Sequence, residues 1–165
     1  LQLRAVNDHH AEVRLGVRIR TLDLLGSLLG ERIAEAHLPP DRAVDVVAID
    51  APRADDRFYV IDALVDGVAD PSLQVVVFPD LPKRIDLPVA TIAVAAAGEG
   101  RFTLSSDAPA FFVRPEAAAH PGHFDDASFL LLPGEPRTVT FKPEAGVAMP
   151  DVEDIAVQHL AETWR

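Results

Sequence analysis

The sequence contains no cysteine, and it has only one residue each of Met, Trp and Tyr among its 165. Without a thiol the chain cannot form a disulfide, an Fe–S cluster, a thiolate zinc site or a cysteine nucleophile. No apolar run approaches the ~20 residues that a membrane-spanning helix needs. The lack of cysteine leaves the compartment open, because cytoplasmic and well-packed secreted proteins can both do without disulfides.

Basic residues are also scarce, since 15 Lys and Arg stand against 26 Asp and Glu and the formal net charge is −11. Nucleic acid and anionic lipid both require a basic patch that displaces counterions. We therefore expect neither nucleic acid nor a membrane as a partner. Hydrophobic residues make up 48% of the chain and charged residues 25%. These values are typical of a globular domain and argue against intrinsic disorder.

Period-two alternation of apolar and polar residues predicts β-strands. In residues 13–20, Val, Leu and Ile alternate with Gly and Arg, which predicts a half-buried strand with a cationic solvent face. The 14 prolines and 9 glycines punctuate further short runs. These runs predict strands at 44–49, 58–65, 73–78, 91–97, 102–105, 110–113 and 138–141. Many short strands at this spacing predict an antiparallel sandwich.

Two segments also fit a helix. Residues 22–36 could be helical on propensity, although Gly26 and Gly30 each weaken a helix by roughly 1 kcal/mol. Residues 151–164 fit a helix behind an Asp151 cap or, alternatively, a strand over residues 155–160. We predict the strand, because a sandwich needs a closing edge at this point.

A proline-rich segment predicts the domain boundary. Residues 79–88 contain three prolines, which remove backbone donors and hold the chain extended. Division there gives domains 1–82 and 83–165, each near the size of a minimal immunoglobulin-like unit. The predicted fold is all-β, with two immunoglobulin-like antiparallel β-sandwich domains in tandem. Because the sequence opens on Leu1, we interpret it as a piece of a longer polypeptide.

No motif for catalysis or nucleotide binding is present. Gly26-Ser27 lacks the G-x-S-x-G spacing of a nucleophile elbow and is interpreted as a turn. Gly98-Glu99-Gly100 lacks the third glycine of a dinucleotide loop and lies between two predicted strands, which predicts a hairpin turn. We assign no catalytic residue and no cofactor-binding residue.

Three clusters of histidine or acidic residues contain side chains that could bind a metal ion. They are Asp8 with His9 and His10, His120 and His123 with Asp125 and Asp126, and the pair Asp55-Asp56. All of them fall in predicted turns, whereas metal ligands are usually presented by opposed, rigid elements. Adjacent acids are more often a solvated loop than a calcium site. We therefore expect no metal.

Aromatic side chains are few for a sugar-binding surface. Tyr59 and Trp164 are the only Tyr and Trp, so an oligosaccharide partner would require one of them to be exposed on a flat face. The phenylalanines stand mostly at inward positions, and we predict that five of them belong to the core: Phe102, Phe111, Phe112, Phe129 and Phe141.

Residues 123–141, HFDDASFLLLPGEPRTVTF, resemble a signature of the C-terminal immunoglobulin-like domain of glycoside hydrolase family 2 β-mannosidases. The family pattern is roughly F-S-D-N-x-F-x-L-x-P-G-E-x-x-T-V-x-F, and Ala127 stands where it has Asn. Three other stretches are similar to the same enzymes in the same order: Val6-Asn7-Asp8, the linker 78–88 and the last strand 155–160. Related β-glucosaminidases and endo-β-mannosidases share this architecture.

The resemblance implies a non-catalytic accessory region of a β-mannosidase-like hydrolase. The enzymes of this family carry their catalytic glutamates in a barrel domain, which no part of this sequence resembles. The barrel is then the expected partner, and the alternatives are a carbohydrate-binding module and a structural or adhesion module. Within the signature, Pro133-Gly134 also predicts a type II turn with a positive φ at Gly134.

Overall fold

The computed structural model describes residues 1–65 and 67–163. These residues form thirteen β-strands, paired antiparallel in four sheets, and three one-turn 3₁₀ helices. The predicted all-β fold of immunoglobulin-like sandwiches is confirmed. The chain divides into two compact units, Leu1–Asp86 and Leu87–Arg165, and this division falls inside the proline-rich segment 79–88. None of the described helices has the length and apolar character to cross a membrane.

Unit 1, Leu1–Asp86, is built from a four-stranded and a two-stranded sheet. The larger sheet has the order β3-β2-β5-β6 and the smaller pairs β1 with β4. A core cluster joins the two sheets, with Val17, Ile19 and Ile61 from the larger and Val47 from the smaller. The strands are β1 Gln2–Asn7, β2 Val13–Asp23, β3 Leu28–Leu38, β4 Arg42–Ala48, β5 Arg57–Val65 and β6 Val68–Val77.

The helical alternative for residues 22–36 is wrong. Strands β2 and β3 form a hairpin here, paired from Val13↔Leu38 to Leu22↔Leu28 with one register shift between Thr21 and Leu22. The carboxylate of Asp23 accepts the backbone N–H groups of Leu25 and Ser27 at 2.9 and 2.8 Å. This Asx-type turn and the positive φ of Gly26 reverse the chain, so turn chemistry overrides helix propensity.

The predicted cationic solvent face of β2 is wrong at its C-terminal end. Arg20 is only 6% exposed, and its Nε lies 3.1 Å from Asp62 Oδ2. Arg18 donates through Nε to the same carboxylate at 3.0 Å. Asp62 is 2% exposed and also accepts an N–H of Gln74 at 2.8 Å. Arg20 therefore neutralises a buried carboxylate instead of facing water, and the partly exposed Arg18 pairs with the same group.

Unit 2, Leu87–Arg165, has a four-stranded sheet, β10-β12-β8-β7, and a three-stranded sheet, β11-β9-β13. Its core contains Phe102, Leu104, Val113, Leu131 and Val139, which come from both sheets. The strands are β7 Ile92–Ala96, β8 Arg101–Ser106, β9 Ala110–Glu116, β10 Gly122–Phe124, β11 Phe129–Leu131, β12 Arg137–Pro143 and β13 Ala156–Gln158.

The strand predicted for the C-terminal segment is confirmed, but it is shorter than the predicted 155–160. Strand β13 pairs with β9 from Ala156↔Glu116 to Gln158↔Arg114. One-turn 3₁₀ helices flank it at Val152–Asp154 and Leu160–Glu162, so the continuous helical alternative is wrong.

Four of the five phenylalanines predicted to be in the core are buried: Phe102, Phe111, Phe129 and Phe141. The prediction is wrong for Phe112, whose side chain is 42% exposed. Its backbone has φ +52°, a left-handed conformation that is unusual for an aromatic residue. Phe111 before it and Val113 after it are both buried, so Phe112 takes the outward position in β9, and the alternation is broken instead between the buried Ala110 and Phe111.

Candidate functional site

The signature segment of unit 2 is the first candidate site, and its acids hold the loop between β10 and β11 in place. Asp125 donates its backbone N–H to the carbonyl of Thr140 at 2.9 Å and accepts the Thr140 N–H on Oδ1 at 2.7 Å. Asp126 forms an ion pair with Arg137, whose guanidinium lies 4.7 Å from the centre of the Phe129 ring. Both carboxylates therefore fasten the loop to strand β12.

The turn that closes the signature has the conformation predicted from the sequence. Gly134 has φ +77°, and the N–H of Glu135 donates to the carbonyl of Leu132 at 3.0 Å. A Cβ at Gly134 would meet no atom within 4 Å, so backbone conformation alone selects glycine here. The turn connects β11 to β12.

A pocket of about 460 Å³ lies beside this segment and is lined by His120, His123 and Phe124 among others. His120 is already engaged: Nδ1 lies 3.1 Å from the carbonyl of Ala148 and Nε2 lies 3.1 Å from Asp154 Oδ2. The same Asp154 oxygen accepts the N–H of Asp151 at 3.0 Å. His120 thus ties two loops together and leaves neither ring nitrogen directed at a ligand.

The N-terminal cluster of Asp8, His9 and His10 lies next to Asn7, which was not among the candidate metal ligands and which holds this loop in place. Asn7 is 3% exposed, and its amide donates to the carbonyls of Ala11, Leu38 and Pro39 at 2.9, 2.9 and 3.2 Å. Its Oδ1 accepts the N–H of His9 at 3.0 Å. The Val6-Asn7-Asp8 stretch of the family resemblance therefore marks a loop clamp. The sequence signal was an Asn at the end of a strand.

The histidines and acids do not converge on a metal position. His10 Nδ1 lies 3.5 Å from Asp41 Oδ2, and both side chains are exposed. Asp56 accepts two hydrogen bonds from Arg57, at 2.7 and 2.9 Å, and these bonds lower the pKa of its carboxyl group. Over residues 1–65 and 67–163, no three His, Cys, Asp or Glu side chains are grouped as metal ligands.

Asp80 is a further anchoring residue that sequence reasoning missed. Its carboxylate accepts the N–H of Leu81 at 2.7 Å and the Nε–H of Arg53 at 2.7 Å. The backbone bond from Leu81, followed by the bond from Arg53, lowers the pKa of Asp80 from its ordinary value of 3.8. Arg84 lies 3.4 Å away in the 3₁₀ helix Pro82–Arg84. Asp80 thereby fixes the start of the proline-rich segment.

The acids described above do not form the pair that glycoside hydrolysis uses. That reaction needs two carboxyl groups ~5–9 Å apart across a cleft, with one held in an apolar environment. Asp62, the buried carboxylate of unit 1, lies between Arg18 and Arg20. Asp125 and Asp126 bond to strand β12.

The described aromatic residues supply little of a sugar-stacking surface. Tyr59 is 5% exposed and belongs to the core of unit 1. Among the residues that the structure describes, Phe112 is the exposed large aromatic side chain. Trp164 lies outside the described residues.

Comparison with known proteins identifies the second unit. Residues 85–163 match the family model Ig_mannosidase, an Ig-fold domain. The match covers 79 of the 165 residues and nearly all of unit 2. The resemblance predicted from the signature is therefore confirmed. A search of curated proteins found no match.

Solved structures are similar over both units. A β-D-mannosidase from Dictyoglomus thermophilum aligns with 96% of this chain at a TM-score of 0.70 and 17% identity. The Amycolatopsis orientalis exo-chitosanase CsxA aligns with 87% of it at a TM-score of 0.60 and 17% identity. The chain covers 20% and 22% of those two structures, so it spans about a fifth of their length. At this identity the likeness shows the fold.

Proposed function

We propose that this chain is a non-catalytic accessory region of a larger β-mannosidase-like glycoside hydrolase. The observation that carries the proposal is the match of residues 85–163 to the mannosidase-type Ig-fold family. The likeness of 96% of the chain to a β-D-mannosidase supports it for unit 1 as well. On this proposal the parent enzyme removes terminal β-linked mannosyl residues, and its catalytic glutamates lie in a separate barrel domain.

The geometry of the chain supports a structural role. Asp80, Asp125 and Asp126 each bond to a neighbouring element, and His120 bridges two loops. These groups maintain the shape of the two sandwiches, which can then be presented to the other domains of the parent enzyme. We therefore propose those domains, the catalytic barrel foremost, as the partners of this chain.

The proposal is tested in the longest reading frame that contains these 165 residues. We expect that polypeptide to hydrolyse p-nitrophenyl β-mannoside, with p-nitrophenyl β-glucosaminide as the comparison substrate. The variants Asp125→Asn and Asp126→Asn should keep kcat within about twofold, because both acids act only in folding. A matched glutamate-to-glutamine change in the barrel should abolish turnover. A loss of kcat in the folded Asp125 or Asp126 variant would contradict the proposal.

A further inference from the structure

The two units of the chain differ by one strand. Unit 2 pairs a four-stranded sheet with a three-stranded sheet, whereas unit 1 pairs a four-stranded sheet with the two strands β1 and β4. A seven-stranded sandwich is the usual small immunoglobulin-like arrangement. Within the described residues, the two-stranded sheet therefore covers only part of the larger sheet of unit 1.

Strand β1 offers one edge for pairing. Its other edge pairs with β4, from Gln2↔Ala48 to Asn7↔Arg42, and the register shift between Leu3 and Arg4 skips a residue of β4, so β1 itself remains regular. Leu1 exchanges two backbone hydrogen bonds with Ile49, at 2.9 and 2.8 Å. Because backbone groups alternate along an antiparallel strand, those of Gln2, Arg4 and Val6 point to the opposite edge. In the described part of the chain no strand pairs with that edge.

An apolar cleft of about 580 Å³ runs along this open edge. Strand β1 forms one wall, and β5 and β6 contribute Ile61, Leu73 and Val75. No residue of β4 lines the cleft, so it lies on the side of β1 away from β4. Leu73 is 52% exposed and Val75 is 47% exposed, although Val75 is paired in register with the core residue Ile61. This inner surface of β5 and β6 is the part that the small sheet leaves uncovered.

We propose that the open edge of β1 takes a seventh strand, supplied by another segment of the parent polypeptide. The inference rests on the proposed function, which places this chain inside a larger protein. The added strand would lie ~4.8 Å from β1 and present apolar side chains to Leu73 and Val75 on alternate residues. It would pair the open edge and cover the cleft at the same time.

A second copy of the chain fits this edge less well. In antiparallel pairing of two β1 strands centred on Arg4, the middle of the three outward-pointing residues, Arg4 lies opposite Arg4 of the other copy, and directly opposed like charges destabilise a sheet. The net charge of −11 adds repulsion between copies. A strand of different sequence avoids both costs.

The test is amide hydrogen exchange with a designed strand. The sequence Thr-Val-Thr-Val-Glu-Val is joined to Leu1 through Gly-Asn-Gly, and the control carries proline in place of its second and fourth residues. In the unmodified chain the amides of Arg4 and Val6 should exchange rapidly. The designed strand should slow both by roughly tenfold or more, and the proline control should not. Amides of β8 in unit 2 should be unchanged in all three proteins.

A substitution in the cleft tests whether slower exchange comes from a strand packed on the cleft or from a general stabilisation of unit 1. Val75→Lys places a charge where the added strand would pack, at a position that is already half exposed. With the designed strand attached, this variant should lose most of the protection at Arg4 and Val6. Protection that survives Val75→Lys would contradict the role of the cleft.

Three other results would overturn the proposal. The first is rapid exchange of both amides with the designed strand attached. The second is a dimeric unmodified chain in which these amides are already protected, which would assign the edge to a second copy. The third is exchange of the Arg4 and Val6 amides in the longest reading frame that is as rapid as in the isolated 165-residue chain. Failure of the hydrolysis assay would instead remove the proposed function and leave the result with the designed strand intact.

Discussion

The two units have the same class of fold but close their cores differently. Unit 2 surrounds an apolar core with seven strands, and its signature acids bond to the backbone and to Arg137. Unit 1 has longer strands, an open cleft and a buried carboxylate between two arginines. Both units pack an apolar core, and unit 1 depends in addition on this buried group of paired charges.

The largest expected effect tests that dependence in unit 1. Replacing Asp62 by Asn leaves Arg18 and Arg20 without their buried counter-charge, and breaking a buried ion pair in this way costs ~3–5 kcal/mol. Asp45→Asn removes a pair with Arg4 in which both side chains are more than half exposed, and it should cost less than about 1 kcal/mol. Amide hydrogen exchange, read separately for the two units, measures the loss of stability in both variants. An equal loss in Asp62→Asn and Asp45→Asn would contradict the importance of the buried charges in unit 1.

The next effect tests the packing of unit 2. At Gly122 an added Cβ would lie 2.5 Å from the carbonyl oxygen of Lys142 and 2.6 Å from Cζ of Phe141, a buried core residue. We expect Gly122→Ala to destabilise unit 2 by ~1–3 kcal/mol, the cost of overpacking. Urea unfolding followed by exchange should show unit 1 unchanged. If the free energy of unfolding of unit 2 equals that of wild type, the prediction is wrong, because β10 can then move away from β12 without cost.

Gly134→Ala tests backbone strain without a steric clash. The positive φ of Gly134 is costly for alanine even though the space around it is open, so we expect a loss of roughly 1 kcal/mol, confined to unit 2. Gly30→Ala is the matched control in unit 1, where the added methyl group also meets no atom within 4 Å. Because Gly30 lies in strand β3, the control should be neutral or slightly stabilising. An unchanged unfolding midpoint of unit 2 in Gly134→Ala would show that the positive φ at this position is not costly for alanine, contrary to the prediction.

The smallest effect depends on pH. The pKa of Asp80 is lowered in the folded state by the Leu81 N–H and by Arg53, so its carboxylate stabilises unit 1 above pH ~4. That stability is lost as the pH falls through the lowered folded-state pKa. Asp80→Asn should therefore reduce the urea midpoint of unit 1 at pH 7, and the difference from wild type should vanish in acid.

Asp107 provides the matching measurement in unit 2. The N–H of Thr91 lowers the pKa of this residue, and Asp107→Asn should give the same pH dependence in that unit. A difference between Asp80→Asn and wild type that persists unchanged below the folded-state pKa would contradict this account of Asp80.

Sequence reasoning predicted those features that local patterns encode. Alternation gave most strands, the signature identified unit 2, and Pro133-Gly134 gave the turn. Features set by distant partners were missed. The partner of Arg18 and Arg20 is Asp62, more than forty residues away, and one alternating strand cannot reveal a counter-charge on another. Phe112 takes the outward position between the buried Phe111 and Val113, and a run of four apolar residues does not indicate which of them points outward.

For the candidate site, the sequence analysis excluded catalytic, cofactor and metal motifs, but it did not predict what the histidines and acids do. The histidines and paired acids were visible in the sequence, but their roles depend on contacts that the fold creates. His120 meets Asp154 and Ala148 only because two loops come together in unit 2. The open edge of β1 was equally invisible, because it depends on which strands pair and not on the composition of any one of them.

The most direct test of the central claim is an activity measurement on the purified 165-residue chain. With p-nitrophenyl β-mannoside at saturating concentration, we expect no release of p-nitrophenol above the uncatalysed rate, at protein concentrations where a complete β-mannosidase turns the substrate over readily. The folded state of the sample is checked by slow amide exchange in β8 and β12. Steady release that is lost in Asp125→Asn or Asp126→Asn would contradict the account, because it would place catalysis within these two sandwiches.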